Sequence, residues 1–243
     1  AFPTDVYRIP NCCRRLAAHS AIPQHMPPGK SAPDFFFSAG APAAPFFASI
    51  RSFVDGLNGR EVSVLVNNAG IMCRDFTTTG DGLEMTVGVN YVGTWLLTNW
   101  LLPNMGRTEK ARIINTSSVT CKMGEVGDHF FKLDPEHYRR FKAYPDSKLA
   151  ILMFTTELAR RLQGRAITVN AVDPGVVNTG MITMHKWYDP LADIFFRPFI
   201  KSPERGAMTA ILLATSDRYV NVSGGFFRNK RQVGLPKTAL DVE

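Results

Sequence analysis

An α/β architecture, a parallel sheet covered by helices, is predicted by three observations. Short β-branched apolar runs alternate with apolar runs of helical period from about residue 46 to 227. Those β-rich runs read as strands buried within a sheet, as strands covered by helices do. The chain has 243 residues, 45% hydrophobic and 20% charged, enough for one large domain with its own core.

Each element has its own signal. Residues 1–45 hold Pro3, Pro10, Pro23, Pro27, Pro28, Pro33, Pro42 and Pro45, with no sustained period of 2 or 3.6. Proline at that density removes backbone donors, so this segment is expected to be irregular and the fold to occupy 46–243. "FASIRSFVDGL" carries apolar residues at helical spacing and stops near Gly59. "VSVLV" (62–66) is a buried strand bounded by Asn67-Asn68. "GLEMTVGVNYVGTWLLTNWLLPNM" predicts one long apolar helix, and "ARIINTSS" a second strand. "SKLAILMFTTELARRLQG" is an amphipathic helix with a basic last turn ahead of Gly164, as the helix dipole prefers. "AITVNAV" is a third strand running into Asp173-Pro174-Gly175. "PERGAMTAILLAT" predicts a further helix and "VSGGFF" a last short strand. No repeat unit recurs.

Composition excludes several classes. No window holds the ~18 uninterrupted apolar residues of a membrane span, and "AFPTDVYRIPNCCRRLAAHS" lacks the order of a secretory signal. Cys12, Cys13, Cys73 and Cys121 fit neither a disulfide framework nor a zinc pattern, so no metal site is expected. Reduced thiols point to an intracellular setting, with cytoplasmic and membrane-associated locations both open. The net charge of +7 is spread along the chain. Its densest cluster, Arg228-Asn229-Lys230-Arg231, reads as a surface turn, and no nucleic-acid partner is expected.

The chemistry-bearing residues collect at the ends of the predicted strands. Two tyrosines precede a lysine by four residues, Tyr138–Lys142 and Tyr144–Lys148. That spacing puts both side chains on one helix face. The first pair sits in the polar "DPEHYRRFKA"; the second opens the amphipathic helix that must pack on the sheet, and is preferred. Asn67-Asn68-Ala69-Gly70 follows the first strand, Ser117-Ser118 ends the second, and Pro174-Gly175-Val176-Val177-Asn178-Thr179 follows the third. Asn90 lies within the long apolar run, where an amide is costly to bury alone. In open α/β sheets, ligands bind at this rim.

In this set, NNAG at 67–70, Asn90, Ser118, YxxxK at 144–148 and PGxxxT at 174–179, the sequence resembles the short-chain dehydrogenases/reductases over about residues 46–227. Within them it looks most like the retinol-dehydrogenase-like branch, in "VNNAGIM", "DGLEMTVGVNYVGTWLLT", "SKLAILMFTTELARRL" and "VDPGVVNT". The resemblance implies a Rossmann-like doubly wound sheet whose residues 46–243 are the C-terminal catalytic part. It also implies an oxidoreductase that interconverts an alcohol and a carbonyl on a lipophilic, retinoid- or steroid-like substrate. NADP is the implied cofactor, with NAD possible. Tyr144 is the implied acid/base and Ser118 the partner of the substrate oxygen. Lys148 is implied to lower the tyrosine's pKa and hold the nicotinamide ribose, and Asn90 to position a relay water. Asn68, Ala69, Gly70, Pro174, Gly175 and Thr179 are implied to line the cofactor. Peripheral membrane contact and a homo-oligomer both stay open.

The sequence departs from the family pattern at its start. The glycine-rich turn TGxxxGxG is absent, and Gly29 and Gly40 lie in "PPGKSAP" and "FSAGAPAA" without a flanking strand or helix. In the family's usual strand order, N-terminal strands missing or replaced would leave the strand at 62–66 as an exposed edge. Residues 1–45 then either cover that edge irregularly, or the chain is truncated. A non-catalytic interaction protein keeping half the fold is the alternative. The aromatic run 184–200 reads equally as a lid over an apolar substrate and as a helix packed on the core or a membrane face.

Overall fold

The structure, a computed structural model, describes residues 19–20, 35–37, 39–40, 46–107, 109–176 and 201–240. β1 (His19–Ser20) pairs antiparallel with β3 (Ala39–Gly40), apart from the main sheet. The main sheet runs from edge to edge through β2 (Phe35–Phe37), β4 (Val64–Asn67), β5 (Ala111–Thr116), β6 (Ile167–Asp173), β7 (Phe226–Arg228) and β8 (Arg231–Val233). The first five of these strands are parallel, and β8 turns back antiparallel on β7. This is the α/β sheet that the alternating runs predict.

Two expectations change at the N-terminal side. The 62–66 strand is not a bare edge, because Phe35↔Leu65, Phe36↔Val66 and Phe37↔Asn67 pair in parallel register. Nor is 1–45 wholly irregular, since three short strands fall within it. Proline density hid them: the Phe35-Phe36-Phe37 run lies between Pro33 and Pro42, and aromatic residues favour a pleated surface. At the other edge, β8 is a strand that the sequence reading lacked.

Period-two alternation divides the core. Leu65, Ile113 and Val169 face α1 (Phe46–Gly56), α3 (Thr94–Leu101) and α4 (Arg140–Arg161), in one cluster with Ile50, Leu97 and Leu158. Val66, Ile114 and Val172 face the opposite way, onto Leu213 of α5 (Pro203–Thr215), with Tyr219 and Phe227. Helix α5 starts where its residues dictate: the Ser202 hydroxyl accepts from Arg205 N–H at 3.4 Å, Pro203 takes the first turn, and Glu204 sits at the positive end of the dipole. No described helix is long and apolar enough to cross a membrane.

The long helix predicted over 82–105 is interrupted. It comprises α2 (Met85–Val87), a π-helical segment Gly88–Gly93, then α3. Glu84 starts it, its two carboxylate oxygens accepting from Thr86 and Val87 N–H at 2.8 Å each. The π segment contains Asn90, and such wide turns recur at functional sites.

Candidate active site

The loop leaving β4 is clamped by Asn90. Its Oδ1 accepts from Ile71 N–H at 2.8 Å; its Nδ2 donates to Ile71 O and to Ser147 Oγ, both at 2.9 Å. Both amide protons are thereby committed within the chain. The side chain therefore holds the loop. Gly70 lies in this loop, where a Cβ would come within 3.1 Å of Lys148 Nζ and 3.3 Å of Asn90 Oδ1. Only a glycine leaves that approach open. Ala69 is half-buried; Asn68 is exposed, its Oδ1 accepting from Thr116 Oγ1 at 3.4 Å.

Asn67, one residue earlier, is a structural member. Its Nδ2 donates to Asn115 Oδ1 at 2.7 Å and to Thr98 Oγ1 at 2.9 Å, and Asn115 Nδ2 donates to Thr155 Oγ1 at 2.9 Å. This buried ladder ties α3, β4, β5 and α4 together directly beneath the rim. Two asparagines ending two β-branched strands were the available signal.

Ser118, Tyr144 and Lys148 converge above it. Ser118 ends the extended stretch after β5, and its Oγ accepts from Thr120 N–H at 3.3 Å. Its neighbour Ser117 is buried and donates to Lys148 O at 2.7 Å, so the two serines divide into one structural and one facing the site. Tyr144 is half-buried in the first turns of α4. Desolvation pushes its phenol above the usual tyrosine range; hydrogen bonding with the Ser118 side chain pulls it back, and the charge of Asp173 pushes it up again. Lys148 lies close to this phenol. Its Nζ lies 5.6 Å from the centre of the Tyr144 ring and donates to Thr116 O at 2.9 Å. Lys148 is 3% exposed, and burial brings its ammonium down to about 8.

Pro174 and Gly175 follow β6 on the same rim. Gly175 adopts φ +80°, and its N–H donates to Asp173 Oδ1 at 2.8 Å. Lys201 holds this turn from outside, donating from Nζ to Pro174 O at 2.9 Å and to Asn229 Oδ1 at 2.7 Å. Asp173 is buried, with Oδ2 lacking a hydrogen-bond partner and 3.7 Å from Arg228. Thr179 and the run 184–200 lie outside the described residues.

The competing tyrosine–lysine pair separates. Tyr138 is buried, donates from its hydroxyl to Cys73 O at 2.8 Å, and is pushed to about 12 chiefly by desolvation. Lys142 turns instead to Glu125 and Asp146. The sequence reading omitted Asp146 and Asp173, since a single carboxylate beside a motif carries no periodic or spacing signal.

The profile of the short chain dehydrogenase family matches residues 48–187, more than half of the chain. The chain belongs to that family. This family member is 40% identical over 199 residues to retinol dehydrogenase 14 of Mus musculus, covering 79% of this chain and 59% of the relative. It is 39% identical over 193 residues to retinol dehydrogenase 12 of Homo sapiens, covering 79% of this chain and 60% of the relative. The chain thus spans about three-fifths of the length of the curated relatives it matches. An uncharacterized protein from Mycobacterium paratuberculosis, 31% identical, superposes with a TM-score of 0.60 over 80% of this chain and 66% of the other. A short chain dehydrogenase from Burkholderia cenocepacia, solved with NADP and 23% identical, has the same fold, with a TM-score of 0.54 over 74% and 69%.

Proposed function

We propose that this family member is an oxidoreductase that interconverts an alcohol and a carbonyl on a lipophilic substrate with a nicotinamide dinucleotide, NADP(H) ahead of NAD(H) as the resemblance implies. The observation that carries this reading is the convergence of the Tyr144 and Ser118 hydroxyls above a buried Lys148 that has no carboxylate partner among the described residues. The residues fit the nicotinamide end of such a cofactor. Gly70 leaves the space beside Lys148 Nζ open, and a buried ammonium whose one described hydrogen bond goes to a carbonyl has donors for ribose hydroxyls. The pyrophosphate end has no glycine-rich turn in these 243 residues to receive it.

Bound nicotinamide gives or takes the hydride; the chain's own residues handle the proton and the geometry. Tyr144 Oη exchanges the proton with the substrate oxygen as general acid or base. A phenol raised by burial keeps its proton at neutral pH, which suits it to donate to an oxygen that gains charge during carbonyl reduction. Ser118 Oγ, beside that phenol, steadies the same oxygen. Lys148 Nζ would hold the ribose, and its charge acts strongly because the side chain is buried. Asn68, Ala69, Gly70, Pro174 and Gly175 would line the cofactor, with Thr179 assigned there by the resemblance alone, and Asn90 acts by holding the loop at Ile71.

Exposed apolar side chains support a lipophilic substrate: Val119 and Met123 after Ser118, Phe141 one turn before Tyr144, and Val176 after Gly175. Each lies within five residues of Ser118, Tyr144 or Gly175 in the sequence, and apolar side chains beside a few polar groups favour an apolar ligand. The test is a titration of the chain with NADPH and with NADH by nucleotide fluorescence, alongside Tyr144→Phe and Lys148→Ala. Saturable binding, weakened by Lys148→Ala and little changed by Tyr144→Phe, is expected, with turnover abolished in Tyr144→Phe. Absence of binding to either nucleotide up to millimolar concentration overturns the enzyme reading.

A further inference from the structure

Helix α4 starts badly for a helix that carries a reactive group. Its N-cap, Arg139, makes no side-chain capping bond, and Pro145, beside Tyr144, supplies no backbone N–H to the turn before it. The turn bearing Tyr144 is held from another direction. Asp146, with its side chain 2% exposed, accepts from Glu125 N–H through Oδ1 at 2.8 Å. Its Oδ2 lies 3.4 Å from Lys142 Nζ and 3.4 Å from His129 Nε2. Lys142 Nζ also donates to Glu125 Oε2 at 3.1 Å. The loop meets the helix with no spare room: a Cβ on Gly124 would fall 2.5 Å from Pro145 O. That loop leaves Ser118 through the short helical turn Val119–Met123.

We propose that Asp146 is a positioning residue that sets the Tyr144-bearing turn of α4 against the loop from Ser118, and so fixes the two hydroxyls relative to each other; this rests on the reading of those hydroxyls given above. The exposed Lys142–Glu125 pair contributes little, as solvated ion pairs do. The buried hydrogen bond from Glu125 N–H to Asp146 does the holding, since breaking it strands a desolvated group. Asparagine at 146 keeps an acceptor for that N–H and gives up only the charge.

The experiment combines 19F NMR of the 3-fluorotyrosine-labelled chain with steady-state kinetics, the Tyr144 resonance being assigned through Tyr144→Phe. Asp146→Ala is expected to move the Tyr144 resonance while those of Tyr91 and Tyr219 stay in place. It is expected to lower kcat roughly ten- to hundredfold, the scale of a displaced reacting group, with KM for the nucleotide little changed. Asp146→Asn is expected to restore the resonance and most of kcat. An unmoved Tyr144 resonance in Asp146→Ala overturns the proposal, as does an equal shift of all tyrosines, or an Asp146→Asn variant as impaired as the alanine. Should Asp146→Ala not fold, Gly124→Ala drives the loop from Pro145, with the same expectations for the Tyr144 resonance and kcat. The NMR readout needs neither nucleotide nor turnover. A wild-type chain without activity would therefore sink the oxidoreductase reading and leave the positioning claim to be decided on its own.

Discussion

Lys148 is held at a cost to the ligand-free chain. Its folded pKa of about 8 lies below the ordinary 10.5 because burial penalises the charged form. Between those values the unfolded chain binds more protons than the folded one, so this residue makes stability rise with pH across the window. Below about pH 8 the folded state bears the full penalty, on the order of 3 kcal/mol. Lys148→Met is therefore expected to raise the unfolding free energy at pH 7 by about 1–3 kcal/mol, the stranded Thr116 carbonyl offsetting part of the gain. That gain should shrink toward zero by pH 10.5, while nucleotide binding is lost. Urea unfolding of both chains across that range checks it, and equal stability at pH 7 would mean that the ammonium is solvated. At this scale the sequence placed Ser118, Tyr144 and Lys148 correctly on one rim, but not their electrostatics. The lysine's burial, and the part Ser118 plays in the tyrosine's acidity, depend on residues 26 to 32 positions away that only the folded chain brings near.

Among the elements, strands and amphipathic helices were legible wherever period and β-branching agreed, as in "VSVLV", "ARIINTSS" and "AITVNAV". The interrupted helix was not. Apolar residues recur at helical spacing from Met85 to Leu101, and that spacing does not mark the wider turn at Gly88–Gly93. The Asn67–Asn115 ladder was equally hidden, because it exists only in the register Asn67↔Asn115. Its energetic weight is testable. Asn115→Ala removes one acceptor of Asn67 Nδ2 and the donor to Thr155 Oγ1, leaving each buried group one hydrogen bond short, with Thr98 Oγ1 and Ile151 O as the remaining partners. A loss of about 2–4 kcal/mol is expected from urea unfolding with an unchanged m-value. A loss under half a kcal/mol would show that water replaces the ladder.

For the whole molecule, the decisive feature is the strand Phe35–Phe37 laid along β4, a regular pairing where the expected cover was irregular. A proline-dense segment supplies the cover that the predicted edge required. Deleting residues 1–45 should then uncover the backbone of Val64–Asn67, and the shortened chain is expected to self-associate at micromolar concentration by light scattering. A shortened chain that stays monomeric would assign that cover no protective role.

The same strand completes an order worth following along the chain. Among the described strands of the main sheet, from β2 to β8, each lies beside the main-sheet strand that precedes it in the chain, with none inserted between earlier neighbours. The sheet can therefore be laid down in the direction of synthesis, every pairing closing only its own connection and none waiting for a distant segment to be made. The rim that holds Gly70, Ser118 and Gly175 is then assembled in three instalments. Tyr144 and Lys148 arrive between the second and the third, on a helix docked before the last parallel strands are in place.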